Sequence, residues 1–236
     1  MAEDAKYDVA VIGAGPAGIM AAIQSARNNL RVVLIEKNAK LAKKLLLAGG
    51  GRCNFTNAKF NLKELVGNYK NGEFLFHAFS VFGPKEVIKF FSAQGGPASG
   101  WEGLGIKTKI EKDGRVFPAS NDAEDVLEAL KKCLDKVEII YGAEAKDVNF
   151  KNKKITKLIL QAKPDSAEDF VVAKKYILST GGKSHPATGS NGIGYQLAEK
   201  LGHTIVKPSP ALAPIRLSAQ GGPASGWKKL QGISLK

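Results

Sequence analysis

A chain of 236 residues, 44% hydrophobic and 24% charged, holds enough apolar material for one large domain or two small ones. Two cysteines exclude a disulfide-built scaffold, and the longest apolar stretch, residues 9–23, is broken by glycines and a proline and is too short to span a bilayer. The net charge of +13, from 35 basic and 22 acidic residues, is spread along the chain, which suits solvated helix faces better than a nucleic-acid footprint.

The first element is an apolar run over residues 8–12. It leads into Gly13-Ala14-Gly15-Pro16-Ala17-Gly18, then a stretch of small and apolar residues, then a second apolar run over 31–35 ending in Glu36. Strand, glycine turn, helix, strand and acid is the context that a dinucleotide-binding fingerprint requires. Gly13 allows the sharp exit from the strand. Gly15 lets backbone approach a pyrophosphate, and Gly18 lets the helix lie close to the sheet. The helix N-terminus supplies N–H groups and partial positive charge. An acid at position 36 suits ribose hydroxyls and disfavours a 2′-phosphate, so FAD or NAD fits better than NADP. Glu36 is expected at an exposed strand end. No basic segment precedes this fingerprint, so no signal peptide is read and a cytoplasmic location is expected.

Lys43 and Lys44 introduce a second glycine loop, Gly49-Gly50-Gly51-Arg52-Cys53-Asn54. Three consecutive glycines stay in neither helix nor strand and form a loop able to approach a flat or anionic ligand. Arg52 is a candidate phosphate partner, and Asn54 can both donate and accept. GAGPAG, then Glu36-Lys37, then GGGRCNFTN is similar to the bacterial FAD-dependent oxidoreductase family of BaiN-like and aminoacetone-oxidase-like proteins, and the resemblance runs over most of the chain. It implies FAD contacts from Gly13, Gly15, Pro16, Ala17, Gly18, Glu36, Lys37, Lys44, Gly50, Gly51, Arg52, Cys53 and Asn54. It further implies that the backbone of Ala145 meets the adenine ring and that Thr180, Gly181 and Gly182 approach the cofactor. Two positions depart from the resemblance: Ala42 stands where members often have glycine, and Ala48 where serine or threonine is common.

Residues 62–66 and 74–82 read as short helices, with Phe74, Leu75, Phe79 and Phe82 as core. Pro84 opens the next helix, with Val87, Ile88 and Phe91 as its buried stripe. Residues 92–101 then interrupt it with SAQGGPASGW, and the same ten residues recur at 218–227. Their surroundings do not repeat. Removing the first copy joins Phe90-Phe91 to Glu102-Gly103-Leu104-Gly105, a helix end with glycine caps. Both copies therefore read as foreign, linker-like insertions, with engineering one origin for them and a genuine duplicated binding loop the rival reading.

A hairpin is expected around Asp113-Gly114, then a helix capped by Asn121 with Glu124 as capping-box partner. Its stripe is Ala123, Val126, Leu127, Leu130 and Leu134; Cys133 is packing. Strands follow over 137–141, 145–150, 155–161 and 170–178, read as containing an inserted β-meander. The last runs into Ser179-Thr180-Gly181-Gly182. The loop 189–195 then opens a helix closing at Gly202. His185 beside it is not assigned to catalysis, and no general acid or base is identified.

The expected fold is α/β: a Rossmann-like FAD-binding domain of the two-dinucleotide-binding flavoprotein type with an inserted meander, over residues 1–207. Residues 208–236 are read as the start of a substrate domain that family members carry to greater length. The implied function is FAD-dependent oxidoreduction of a small-molecule substrate, with NAD(P)H as a candidate electron donor and no metal. An NAD-dependent dehydrogenase and a non-catalytic engineered FAD-binding fragment are the alternatives.

Overall fold

The computed structural model describes residues 5–92, 103–152, 154–161 and 170–209. The chain divides into a unit ending at Ile205 and a second beginning at Val206. Almost all of the second unit, including the 218–227 copy of the decapeptide, lies outside the described residues, as does the first copy apart from Ser92.

The first unit is built on a parallel sheet. Strand β1 (Tyr7–Ile12) lies between β10 (Ala173–Leu178) and β2 (Val32–Glu36), and β6 (Val137–Tyr141) lies beyond β2. Helix α1 (Pro16–Arg27) makes the crossover from β1 to β2. Alternation along the strands splits the core into two layers, as expected for a parallel sheet covered on both faces. Val9, Val11, Val32 and Leu34 pack with Ile19 and Ile23 of α1 and with Val126, Leu127 and Leu130 of α6 (Ala123–Lys132). Ala10, Ile12, Val33 and Ile35 pack on the opposite face with Val148, Leu158 and Leu197. Asp8 ties the start of β1 to both neighbours, Oδ2 accepting from the Arg31 amide at 2.9 Å and Oδ1 pairing with Lys174 Nζ at 2.8 Å.

The meander consists of β7 (Glu144–Lys151), β8 (Lys154–Gln161) and β9 (Phe170–Val171), paired antiparallel. The expected single strand over 170–178 is in fact two. Phe170–Val171 completes the meander, and Ala173–Leu178 leaves it to pair parallel with β1. The Tyr176 hydroxyl marks the break: it accepts from the Ala173 amide at 2.9 Å and donates to the Val171 carbonyl at 3.2 Å. A third small sheet holds β3 (Thr56–Asn57), β5 (Arg115–Pro118) and β4 (Thr108–Ile110).

Three local expectations are corrected. The cap of α6 is Asp122, whose carboxylate accepts from the Glu124 amide, while Asn121 sits at φ 60° just before it. In the segment holding α3 (Leu62–Val66), a 3-10 turn (Gly72–Leu75) and α4 (Phe76–Val81), Phe74 is 88% exposed and is not core. In α5 (Pro84–Phe91) the fully buried ring is Phe90, because Gly103–Ile106 covers that side; Val87, Ile88 and Phe91 are half-buried.

The flanks of the first decapeptide meet. Leu104 N–H donates to Phe90 O at 3.1 Å, and Ile106 N–H donates to Phe91 O at 2.9 Å. Counted without residues 92–101, these become a helical i+4 bond and the i+5 bond of a Schellman cap, with Gly105 at φ 74° in the left-handed cap position. The helix terminus is thus completed across the interruption. Deleting residues 92–101 is expected to leave the thermal midpoint unchanged or raised. A loss above about 2 kcal/mol in denaturant unfolding would mean that the decapeptide packs into the core.

Candidate functional site

A cavity of about 540 Å³ opens at the C-terminal ends of β1, β2 and β10. This is where an open parallel sheet receives ligands, and the size falls within the usual range for a small-molecule site. Of the expected residues, Gly13, Gly15, Pro16, Ala17, Glu36, Lys37, Lys44, Ala145, Thr180 and Gly181 line it.

The glycine turn divides its tasks as the spacing predicts. A Cβ on Gly13, which holds φ 97°, would come within 2.8 Å of Ser179 O. A Cβ on Gly18 would drive into the carbonyl oxygen of Gly13. At Gly15 it would meet nothing within 4 Å and would project into open space. Helix α1 starts at Pro16 with no side-chain cap and no acid in its first turn. Its N-terminus therefore keeps both its N–H groups and its partial positive charge for a ligand.

Glu36 departs from expectation: it is buried, at 6% exposure, and is not an exposed strand terminus. Oε2 accepts from the Ala14 amide at 2.9 Å; Oε1 accepts from the Asn38 amide at 2.8 Å and from Asn38 Nδ2 at 2.5 Å. The acid therefore braces the glycine turn from the end of β2. A carboxylate has about four acceptor positions, so Oε2 retains capacity for a further donor. The Lys37 ammonium turns away from Glu36 to Glu144 Oε1 at 3.3 Å. Lys146, Asn191 and Lys37 together hold the Glu144 carboxyl down to about 2, the Lys146 bond weighing most.

On the opposite wall, Lys44 Nζ lies 2.6 Å from Ser190 Oγ. Ser190 is buried at 6% exposure. A Cβ on Gly181, at φ 75°, would fall 3.1 Å from Ser190 Oγ and 3.5 Å from Lys44 Nζ. Ser179 Oγ bonds to Ile12 O and Gly13 O, both at 2.9 Å, locking the end of β10 to the turn after β1.

Gly18, Gly182 and the loop 50–54 do not line the cavity. Arg52, expected on a phosphate, pairs with Glu111 at 2.7 Å and stacks 4.0 Å from the centre of the Phe117 ring. The loop also holds other parts of the fold: Gly51 O accepts from the Ala123 amide at the start of α6, and Ala48 O accepts from Cys53 N. Cys53 is buried in the core, and burial pushes its thiol up to about 11. Cys133 is half-buried on the surface of the same core. Alkylation at pH 8 is therefore expected to modify Cys133 well before Cys53, whose thiolate fraction is on the order of a thousandth. Peptide mapping showing Cys53 modified first would contradict this. Ala42 stands at φ 56°, the left-handed conformation that favours glycine.

Sequence reasoning missed Asn38, Glu144, Ser179 and Ser190. Asn38 was findable as the polar residue two positions past the fingerprint acid, and Ser190 as a hydroxyl between two glycines. Glu144 carried no local signal, since its role depends on where the meander lands. Among the described residues no cluster of His, Cys, Asp and Glu could hold a metal ion, and no helix is long and apolar enough to cross a membrane.

Comparison with known proteins agrees with this geometry. The chain is 32% identical over 221 residues to the 3-dehydro-bile acid delta(4,6)-reductase of Clostridium scindens, covering 89% of this chain and 47% of that protein. It is 30% identical over 208 residues to the ribosomal RNA dihydrouridine synthase of Haemophilus influenzae, covering 86% and 47%. The chain thus spans about half the length of these relatives. In fold it is similar to a flavocytochrome c3 fumarate reductase in its open conformation, with a TM-score of 0.56 at 17% identity over 84% of this chain and 41% of that one. THI4 of Thermovibrio ammonificans gives 0.52 at 18% identity over 84% and 63%. The HI0933-like protein Rossmann domain matches residues 7–226, and the chain belongs to that family.

Proposed function

We propose that this chain is the FAD-binding part of a flavin-dependent oxidoreductase acting on a small organic substrate. The observation that carries the reading is the convergence of three features on one cavity: the Gly15 opening, the uncapped N-terminus of α1, and the Glu36 carboxylate. Together they match a pyrophosphate next to a ribose. The α1 N-terminus and Lys44 would hold the phosphates, Glu36 the ribose hydroxyls, and the backbone of Ala145 the adenine face. When bound, FAD supplies hydride and electron transfer. The protein's own residues bind, orient and exclude water. Nothing in the cavity is assigned as acid or base.

The curated relatives add weight to flavin chemistry but differ in what they are named for, a bile-acid derivative in one case and ribosomal RNA in the other. The small-organic-substrate reading therefore rests on likeness to the first of these relatives. One observation favours RNA as a second reading: Phe60, Tyr69, Phe74 and Phe76 are exposed in a stretch that also carries Lys59, Lys63, Lys70 and Lys85, although Glu64 and Glu73 stand among them. NAD(P)H remains the candidate donor. The test is titration of purified protein with FAD, NAD and NADP. Uptake of FAD with a flavin visible band is expected. A colourless protein that binds NAD calorimetrically while leaving FAD free would overturn the reading in favour of the dehydrogenase. Fluorescence anisotropy with a labelled single-stranded RNA separates the two substrate classes.

A further inference from the structure

Residues 188–192 border the cavity, and their attachment is unusual. The segment's backbone N–H bonds are local: Thr188 N to His185 O, Gly189 N to Pro186 O, and Asn191 N to Gly189 O. What joins it to the rest of the unit is side-chain chemistry. Asn38 Nδ2 donates to Thr188 O at 3.4 Å, Lys44 Nζ donates to Ser190 Oγ at 2.6 Å, and Asn191 Nδ2 donates to Glu144 Oε1 at 2.8 Å. Glycines stand at both ends of the Ser190-Asn191 pair, Gly189 at φ 101° and Gly192 at φ 86°. Hinges need a few residues that absorb large dihedral changes, and glycine does so at least cost.

The three partners come from different elements that the cavity shares. Asn38 follows β2, Lys44 lies on α2 (Lys43–Leu47), and Glu144 begins β7. Thr188, Gly189 and Ser190 line the cavity beside Lys37 and Asn38, and a Cβ on Gly189 would come within 2.8 Å of Lys37 Cε and 2.9 Å of Asn38 Nδ2. The Asn191–Glu144 bond therefore fastens this segment to the start of β7 at the rim of the cavity.

We infer that residues 188–192 form a strap fastened across the nucleotide site, and that Glu144 and Asn191 are the positioning residues whose bond sets how long a bound dinucleotide stays. This rests on the FAD reading above. With the bond made, release requires the strap to swing out on Gly189 and Gly192. With it broken, only the Lys44–Ser190 and Asn38–Thr188 bonds restrain the segment, and the cavity opens more often. The consequence lies in the dissociation rate, where differences among variants of one site are usually found.

The test compares wild type, Asn191→Ala, Glu144→Ala and the double variant. Each is loaded with FAD, and release is followed by flavin fluorescence on dilution. The expected result is release about tenfold faster in each single variant, the scale of one hydrogen bond to a charged group. The double variant should be no faster than Glu144→Ala alone, since that change already removes the Asn191 bond. Amide hydrogen exchange on the apoproteins provides the second readout, with faster exchange over residues 188–192 expected and β1 and β2 unchanged. Asn191→Asp keeps size and shape and the Oδ1 that accepts from Ile193 N, but sets a carboxylate against Glu144, so it reports even where Asn191→Ala folds poorly. FAD released at the wild-type rate by folded variants, with unchanged exchange over 188–192, overturns the strap and leaves the cofactor reading standing. Wild-type protein that takes up no FAD overturns both.

Discussion

Replacing Glu36 by alanine is expected to cost both stability and FAD affinity. The sequence alone suggests a change in binding only, since an acid at a strand end that reaches ribose hydroxyls can be removed without harm to the fold. The burial of Glu36 and its three donors change that outcome. Alanine leaves the Ala14 amide with no acceptor inside the turn that carries the fingerprint, a loss of about 1–3 kcal/mol for a buried donor. Release of Asn38 adds about 1 kcal/mol more and frees its contact with Thr188. The apoprotein should then melt roughly 5–15 °C lower. FAD affinity should fall about ten- to hundredfold beyond what the altered fold accounts for. Glu36→Gln separates the two effects, because it keeps an acceptor for one donor and presents an amide hydrogen to another. Thermal melts of the apoproteins and FAD titration at fixed salt measure both. An alanine variant that melts like wild type and binds FAD equally well would remove Glu36 from both roles.

This difference shows where sequence reasoning stops. The strand, glycine turn, helix and acid were legible because they are contiguous and each residue type has a steric reason for its place. The stripe of α6 was legible for the same reason: Ala123, Val126, Leu127, Leu130 and Leu134 repeat at helical spacing and are all buried. What could not be read was pairing between distant parts of the chain. Arg52 looks like a phosphate ligand until Glu111, 59 positions away, is placed beside it. Glu144 is unremarked until the meander brings it to Lys37 and Asn191. Phe74 fits a helical stripe by spacing, but its helix lacks a covering element on that side among the described residues. The decapeptide is the opposite case. The repeat itself was visible in the sequence, and the bonds from Leu104 and Ile106 show its first copy's flanks meeting at a helix end.

Two alanine substitutions in the same glycine turn are expected to fail in opposite ways. Gly15 and Gly18 are both fingerprint glycines, yet only Gly15 faces open space. Its φ of −77° is available to any residue, so Gly15→Ala leaves the backbone unstrained. Alanine is a poorer helix N-cap than glycine, which costs somewhat under 1 kcal/mol, and the reduced freedom of the unfolded chain returns about 0.4–1 kcal/mol. The apoprotein should therefore melt close to wild type. The added methyl group stands in the cavity in front of the α1 N-terminus and keeps a pyrophosphate from the amides, so FAD affinity should fall by at least about tenfold, or 1.4 kcal/mol. Gly18→Ala meets the Gly13 carbonyl and, at 2.7 Å, the Ser179 hydroxyl. Neither can retreat. Gly13 N is bonded to Ile35 O at 2.8 Å, and Ser179 Oγ is bonded to Ile12 O and Gly13 O. Helix α1 must shift away from the sheet, at a cost of about 3 kcal/mol or more. Denaturant unfolding of the two apoproteins separates the outcomes before any ligand is added. A Gly15→Ala protein that binds FAD as wild type does would place the pyrophosphate elsewhere than on this helix, whatever Gly18→Ala does to the fold.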